Sequence, residues 1–413
     1  MGNEDRISNL PTDLLISIIS RLTILEATTT SILSTRWRYL HHYVTRLNFP
    51  IYLPRVDADV WYFASAVTRV LRLHRGGRIK EFRMCMSGCF NYEIVEWFEF
   101  ALSKKAEIIH LRGIRYIDYE ALFLRLRNKN NGFECLKDLC LLDPLMSDQD
   151  LELLLSNCIA LESLELKNAL MLENVSIVGH TKLKHLNLTY LKVHSIVIRD
   201  AISLVSLTLR ILFNRHSVQL SNTPKLTQLY LEAFFPIKLL DELLTGMPAC
   251  IRDQLQIMHI TAKVTSICEM YDMYDMYQKS WVDFVNVKHL ELTFIAVKFS
   301  LGPYFLCNFF RLVRLVEACS SLDKLVIKLP ILPPSHDECT LETYVVPRCE
   351  LSPKYLEISR YSGAPSQLAL TLYLIDNASR FLQKVSVVAQ DEEALARARH
   401  DFEHIASVSF SVM

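Results

Sequence analysis

The chain has 413 residues, 51% of them hydrophobic, and its 45 basic side chains are balanced by 45 acidic ones. That is enough apolar material for one long array or two to three domains. A net charge of zero excludes a global field that would steer the chain onto nucleic acid or an anionic membrane. The polar, mixed-charge stretch from Met1 to Asn9 does not read as a secretory signal, and no apolar run has the length of a membrane span. The 11 cysteines include no C-x-x-C pair and read as reduced, mostly buried thiols of an intracellular protein, in the cytoplasm or the nucleus.

Leu10, Leu14, Leu15, Ile18, Ile19 and Leu22 recur at helical spacing and predict an apolar stripe on a first helix. Pro11 suits its first turn, where a missing N–H costs nothing. A short second helix is expected over residues 26–31, although Thr28, Thr29 and Thr30 are weak helix formers. Leu33, Trp37, Leu40 and Val44 mark one face of a third. A unit of about forty residues with this much apolar surface seldom stands alone. It needs a partner.

Further on the chain repeats itself. L-x-x-L-x-L occurs at Leu136/Leu139/Leu141, Leu161/Leu164/Leu166, Leu183/Leu186/Leu188, Leu204/Leu207/Leu209 and Leu226/Leu229/Leu231, in steps of 25, 22, 21 and 22 residues. That is the leucine-rich-repeat period. Looser copies sit at Ile79/Phe82/Met84, Leu255/Met258/Ile260, Val287/Leu290/Leu292, Leu322/Leu325/Ile327 and Leu382/Val385/Val387. Residues 154–166 also align without gaps to 315–327, each block reading as a helix end, a buried cysteine (Cys158, Cys319) and a strand. Alternate strand residues point to opposite faces, so Leu164 and Leu166 enter the core while their neighbours face out. The outward positions Ser163 and Glu165, His185 and Asn187, Ser206 and Thr208, Gln228 and Tyr230 are the candidate target-binding surface. Tyr230 is the strongest candidate by residue type.

The step from Leu231 to Val287 holds an insert, Met270 to Tyr277, read as a lengthened helix or loop. Pro330, Pro333, Pro334, Pro347 and Pro353 mark a loop-like stretch. A strand at 355–358, a helix at 368–378, a strand at 385–388 and a charged helix from Asp391 then form an atypical last unit, such as a solenoid needs to cover its open end.

The opening residues resemble the F-box motif: Asp5-Arg6-Ile7-Ser8-Asn9-Leu10-Pro11, Leu14-Leu15, Ile18-Ile19-Ser20-Arg21-Leu22, and Thr30 through Trp37 to Leu40. The form is similar to the plant F-box/leucine-rich-repeat family, residues 154–166 to that family's repeat signature, and the stretch from Tyr355 through Asn377-Ala378 to Val387 to its FBD tail. The resemblance implies an α/β chain. A short three-helix F-box (5–50) precedes an irregular leucine-rich-repeat solenoid (79–330) whose parallel strands line a horseshoe, and an FBD-like capping region (351–410) follows. It further implies a non-catalytic substrate-recognition subunit of an SCF-type (Skp/cullin/F-box) ubiquitin ligase. Leu10, Pro11, Leu14, Ile18, Leu33 and Trp37 would then form or support the surface for a Skp-type adaptor, and the repeats would hold a target protein. Two residues depart from the family pattern: Thr23 stands where proline is usual, and His41 where a second tryptophan is common. The rival reading is a scaffold or small-ligand receptor with a degenerate F-box.

Other constellations carry less. His400-Asp401-Phe402-Glu403-His404 fits H-x-x-E-H, but a third ligand is usually well downstream and the sequence stops at Met413; a charged, solvated helix is the reading. No glycine loop or G-x-S-x-G elbow occurs, so no catalytic residue, metal or cofactor is expected. The basic run Arg69, Arg72, His74, Arg75, Arg78, Lys80, Arg83 lacks the interleaved aromatics of a nucleic-acid groove. It reads as a solvated face, with an inositol phosphate as the less favoured alternative.

Overall fold

Pro11, with φ of −51°, caps a first helix, α1 (Thr12–Ile19), in which the expected apolar stripe divides. Leu15 and Ile19 are buried, whereas Leu14 and Ile18 face outward. The computed structural model describes residues 7–49, 57–88, 92–114, 132–211, 217–233, 240, 243–264, 282–296, 312–331, 350–403 and 409–413. The insert at 270–277, Pro333, Pro334, Pro347 and His404 lie outside them. The chain divides into two units, Met1–Ile202 and Ser203–Met413. No helix among the described residues is long and apolar enough to cross a membrane.

In the first unit, α2 (Ile24–Thr29) begins two residues before the sequence-based expectation because Thr23 is its N-cap. Glu26 donates its N–H to Thr23 Oγ1 (3.4 Å), and Glu26 Oε2 accepts the Thr23 N–H (2.9 Å). This reciprocal box fixes the turn where the family pattern uses proline. Thr28, Thr29 and Thr30 each donate a hydroxyl to the carbonyl three residues back. Such bonds compete with the α-helical ladder, and the segment tightens into a 3-10 turn at Thr30–Ile32. The third expected helix is instead a succession of turns. Trp37, Leu40 and His42 donate to Ser34, Trp37 and Tyr39, three residues back, ending in a 3-10 turn at Leu40–Tyr43. Of the four residues expected on one face, Trp37, Leu40 and Val44 are buried and Leu33 is 63% exposed.

The unit continues with α3 (Asp57–Leu73), α4 (Tyr92–Ser103) and α5 (Asp148–Asn157). Strands β1 (Arg46–Asn48), β2 (Glu81–Gly88), β3 (Ile108–Ile114), β4 (Asp138–Leu142), β5 (Ser163–Lys167) and β7 (His185–Leu191) pair in parallel in the order β1-β2-β3-β4-β5-β7. Leu139, Leu164 and Leu186 share one core row, and Leu141, Leu166 and Leu188 the next. Between them β6 (Asn174–Val178) and β8 (Ser195–Arg199) pair in parallel, apart from that run. Val175, Ile177, Ile196 and Ile198 are their buried side. Alternating β-branched residues suit a half-buried strand, and no helix forms there.

His74 sits where the first helices meet the repeats, its Nε2–H donating to the Val44 carbonyl (3.0 Å). Burial pushes the His74 imidazole below the usual histidine range, outweighing that bond, and Lys104 and His42 add to the effect. His41 and His42 are lowered as well, chiefly by burial, with the charge of Arg75 acting on His42. A histidine whose folded value is depressed takes up protons more readily when unfolded. Its stability contribution is complete above the unfolded value of about 6.5 and is lost as pH falls toward the folded value. Buried carboxylates with lowered values act only at more acid pH. The melting temperature is therefore expected to fall between pH 7.5 and 5.5, and to fall less in His74→Gln. Identical melting of the wild type at both values would refute this account.

In the second unit, β9 (Ser206–Ile211), β11 (Gln228–Ala233), β12 (Ile257–Val264), β13 (His289–Ala296), β14 (Lys324–Lys328), β15 (Tyr355–Tyr361), β16 (Lys384–Ala389) and β17 (Ser409–Val412) form another parallel run in chain order. β10 (Ser217–Ser221) stands apart from it. Its helices include α6 (Ala249–Arg252), α7 (Pro365–Ala378) and α8 (Glu392–Asp401), the last capped by Asp391 accepting the Ala394 N–H at 2.8 Å, and residues 312–318 are helical as well. All the looser repeat copies predicted from sequence are buried. Cys158 and Cys319 are fully buried between a helix and a strand, as the aligned blocks predicted, and burial pushes both thiols up to about 12.

One backbone device recurs in both units. Glu107 O accepts the N–H groups of both Lys137 and Asp138, Lys137 O those of Glu162 and Ser163, and Glu162 O those of Lys184 and His185. In the second unit Gln256 O accepts Lys288 and His289, and Lys288 O accepts Asp323 and Lys324. Each carbonyl just before a strand thus receives the two donors that open the next one. That fixes register without any side chain.

Candidate interaction surfaces

The first surface lies on the amino-terminal helices. Leu14 and Ile18, one helical turn apart and so on one face, are 51% and 43% exposed. Ile7, Leu25, Ile32 and Leu33 are also exposed, Ile32 at 85%. Pro11 is exposed and Leu10 half-buried. Trp37 does not join this surface; it is 4% exposed and donates its Nε1–H to Ser8 Oγ at 2.8 Å. The Arg36 guanidinium donates to the carbonyls of Ser8 and Leu10. Together they tie down the segment that carries Leu10 and Pro11, so Trp37 supports the surface from below.

The second set is the outward side of the strands. In the first unit Ser163 lies beside His185, and Glu165 beside Asn187. Ser163, Glu165 and Asn187 are half-buried and His185 is exposed. On the neighbouring strands Asp138 lies beside Ser163 and His110 beside Cys140, and the His110 and Asp138 side chains meet diagonally at 3.1 Å. Burial alone would push the Asp138 carboxyl up, but the hydrogen bond and charge of His110 overcome it and hold the group below its usual range.

In the second unit Ser206 lies beside Gln228, and Thr208 beside Tyr230. All four are half-buried. The Tyr230 hydroxyl donates to Gln228 Oε1 (3.2 Å), and its ring packs on His259 with centroids 4.7 Å apart. His259 stacks on His289 at 5.4 Å with the planes inclined by 13°. These histidines and their neighbour Glu291 escaped the sequence reading. The signal was available: alternation applied to the looser copies at Met258/Ile260 and Leu290/Leu292 puts 259, 289 and 291 outward.

The basic run does not converge as a unit. His74 is buried on Val44, Arg78 pairs with Glu107 at 3.5 Å and Arg83 with Glu81, while Arg69, Arg72, Arg75 and Lys80 are exposed. His400 and Glu403 are exposed. His41, at the other departure from the family pattern, is half-buried with its ring edge-on to His42 at 4.3 Å.

Comparison with known proteins places two family models on the chain. The F-box domain matches residues 7–40, and the repeats described as "FBD-associated F-box protein At5g56370, LRR repeats" match residues 107–234. Among curated relatives, the F-box/LRR-repeat protein At3g59200 of Arabidopsis thaliana is 38% identical over 98 residues, 22% of this chain and 18% of that protein. The F-box/LRR-repeat protein At3g03360 of the same plant is 30% identical over 189 residues, 39% of this chain and 38% of that protein. The Arabidopsis F-box/FBD/LRR-repeat protein At5g56420 is 30% identical over 182 residues, 39% of this chain and 43% of that protein. The chain spans less than half the length of each of these relatives. It carries an F-box followed by leucine-rich repeats of the FBD-associated kind, and its homologues are F-box/LRR-repeat and F-box/FBD/LRR-repeat proteins of Arabidopsis.

Proposed function

We propose that the chain is the substrate-recognition subunit of an SCF-type ubiquitin ligase, working inside the cell in the cytoplasm or nucleus. Its F-box docks a Skp-type adaptor, which brings the cullin, and its repeats hold a target protein. The observation that carries this reading is the apolar surface left on the first helices, where Leu14, Ile18, Ile32 and Leu33 stay in water. Apolar side chains concentrated on so small a module mark an interaction site. The F-box match over residues 7–40 supports the adaptor as the occupant, since F-box domains generally bind Skp-type adaptors.

The mechanism is positioning. Holding a target lysine beside a loaded conjugating enzyme turns a bimolecular encounter into a local one. The reacting thioester belongs to another subunit, so this chain needs no nucleophile of its own. Target contact falls to the outward positions from Ser163 to Tyr230.

The test is co-purification and affinity measurement with a Skp-type adaptor. Leu14→Asp combined with Ile18→Asp changes exposed positions and should leave the fold intact. Losing an apolar anchor of this kind costs about 2 kcal/mol or more, so binding is expected to weaken at least about thirtyfold. Leu153→Asp, on the exposed side of α5, should bind as wild type. Full adaptor affinity in the double variant would end the ligase reading.

A further inference from the structure

We propose that His259, His289 and Glu291 form a binding site for a transition-metal cation, zinc foremost, on the outward side of the second unit's strands. The inference goes beyond the ligase reading and does not depend on it. It also runs against the sequence-based expectation of no metal.

Topology brings the donors together. His289 and Glu291 are two residues apart on β13 and therefore share a face. His259 on β12 is the register partner of Glu291, with Ile257 opposite His289. One ligand atom from each of the three lies within 4.8 Å of the others. Tetrahedral coordination with metal–nitrogen bonds of about 2.0–2.1 Å needs donors about 3.4 Å apart. Small side-chain rotations close that difference with the strands left in place.

The chemistry of the set is specific. Two imidazoles and one carboxylate make a three-donor zinc site that leaves a fourth position open. Glu291 is already oriented for it. Lys328 Nζ sits 2.6 Å from Oε1, and Thr293 Oγ1 donates to the same oxygen at 3.4 Å. Oε2 is left facing His259 Nδ1 at 3.6 Å, beyond hydrogen-bond length. A partner that fixes a ligating carboxylate is a usual outer-shell arrangement.

The plainer reading is a stacked histidine pair beside a Glu–Lys ion pair. It leaves one atom unexplained: His289 Nε2 is buried with no hydrogen-bond partner. Buried polar atoms are rarely left so, and a cation would satisfy this one. The ammonium groups of Lys328 and Lys324 oppose a second positive charge, which makes the site weaker than a four-ligand structural one. Water or a donor from a docked protein completes the shell at the open fourth position.

The experiment titrates chelator-treated full chain with zinc ion alone at pH 7.5, against His259→Ala, His289→Gln and a Leu153→Asp control. Because the chain has 11 cysteines, the reading is the difference between proteins. The wild type and control are expected to bind one equivalent more than either histidine variant, or to bind that equivalent at least about 100-fold more tightly. Cobalt substituted for that equivalent should show ligand-field bands without thiolate charge transfer. Zinc should raise the melting temperature of the wild type more than that of His289→Gln, whose zinc-free melting reports its folding. Equal stoichiometry and affinity in all four proteins, or thiolate bands on the equivalent that the histidine variants lose, overturn the proposal. Adaptor affinity should be the same with and without zinc, which separates this test from that of the F-box.

Discussion

Trp37→Ala is expected to cost about 3–5 kcal/mol, the range for removing a buried tryptophan side chain, and to abolish the proposed adaptor binding although the ring does not join the exposed apolar surface. The ring is 4% exposed and holds Ser8 through its Nε1–H. Removing it leaves a cavity where the ring was buried and frees the segment carrying Leu10 and Pro11. A domain's whole stability is about 5–15 kcal/mol, so a module this small would lose most of its native population. Trp37→Phe keeps most of the apolar volume and should lose only about 1 kcal/mol beyond the trimmed ring, the net worth of one hydrogen bond. Hydrogen exchange over residues 7–48 separates the two: protection collapses in the alanine variant and mostly survives in the phenylalanine one. Unchanged protection in Trp37→Ala would mean the side chain is not a support.

A comparable loss is expected at Gly132. Its φ of +71° is left-handed, and an added Cβ would lie 1.9 Å from the Leu102 carbonyl oxygen. It caps the short 3-10 turn Phe133–Cys135, which seats Phe133 edge-on to Phe98 with centroids 6.3 Å apart. Gly132→Ala carries backbone strain of about 1–3 kcal/mol and an overpacking penalty of about 1–3 kcal/mol. Two other glycines separate these causes. Gly179 has φ of +77° with nothing within 4 Å of the added carbon, and Gly77 has equally open space without the left-handed backbone. The expected order of melting temperatures is Gly77→Ala above Gly179→Ala above Gly132→Ala. If the last two melt together, the clash with Leu102 is not real.

The five evenly stepped leucine copies were legible because a strand that buries one face must repeat its large side chains at alternate positions. β3 was not, because small Ala106 stands where Leu136 or Leu161 stands elsewhere, hiding Ile109 and Leu111 as one more copy. The first helix shows a different limit. Periodicity grouped Leu14 with Leu15, but only packing decides that Leu15 is inside and Leu14 outside. The third segment carried a helical pattern, yet its hydrogen bonds run three residues back from Trp37 and Leu40, which turns Leu33 outward. His259 and His289 are separated by 30 positions in the chain and become neighbours only through strand register. No spacing motif could have paired them.

Because strand after strand among the described residues opens on the carbonyl that precedes its neighbour, alignment is set at one point per repeat while the length of chain in between varies. The spacing between successive points runs from 22 residues, Glu162 to Lys184, to 35, Lys288 to Asp323. Segments on the far side can therefore grow, shrink or be exchanged while the strands stay in step. Such a molecule can change what surrounds its strand face and what that face displays as two separate evolutionary variables.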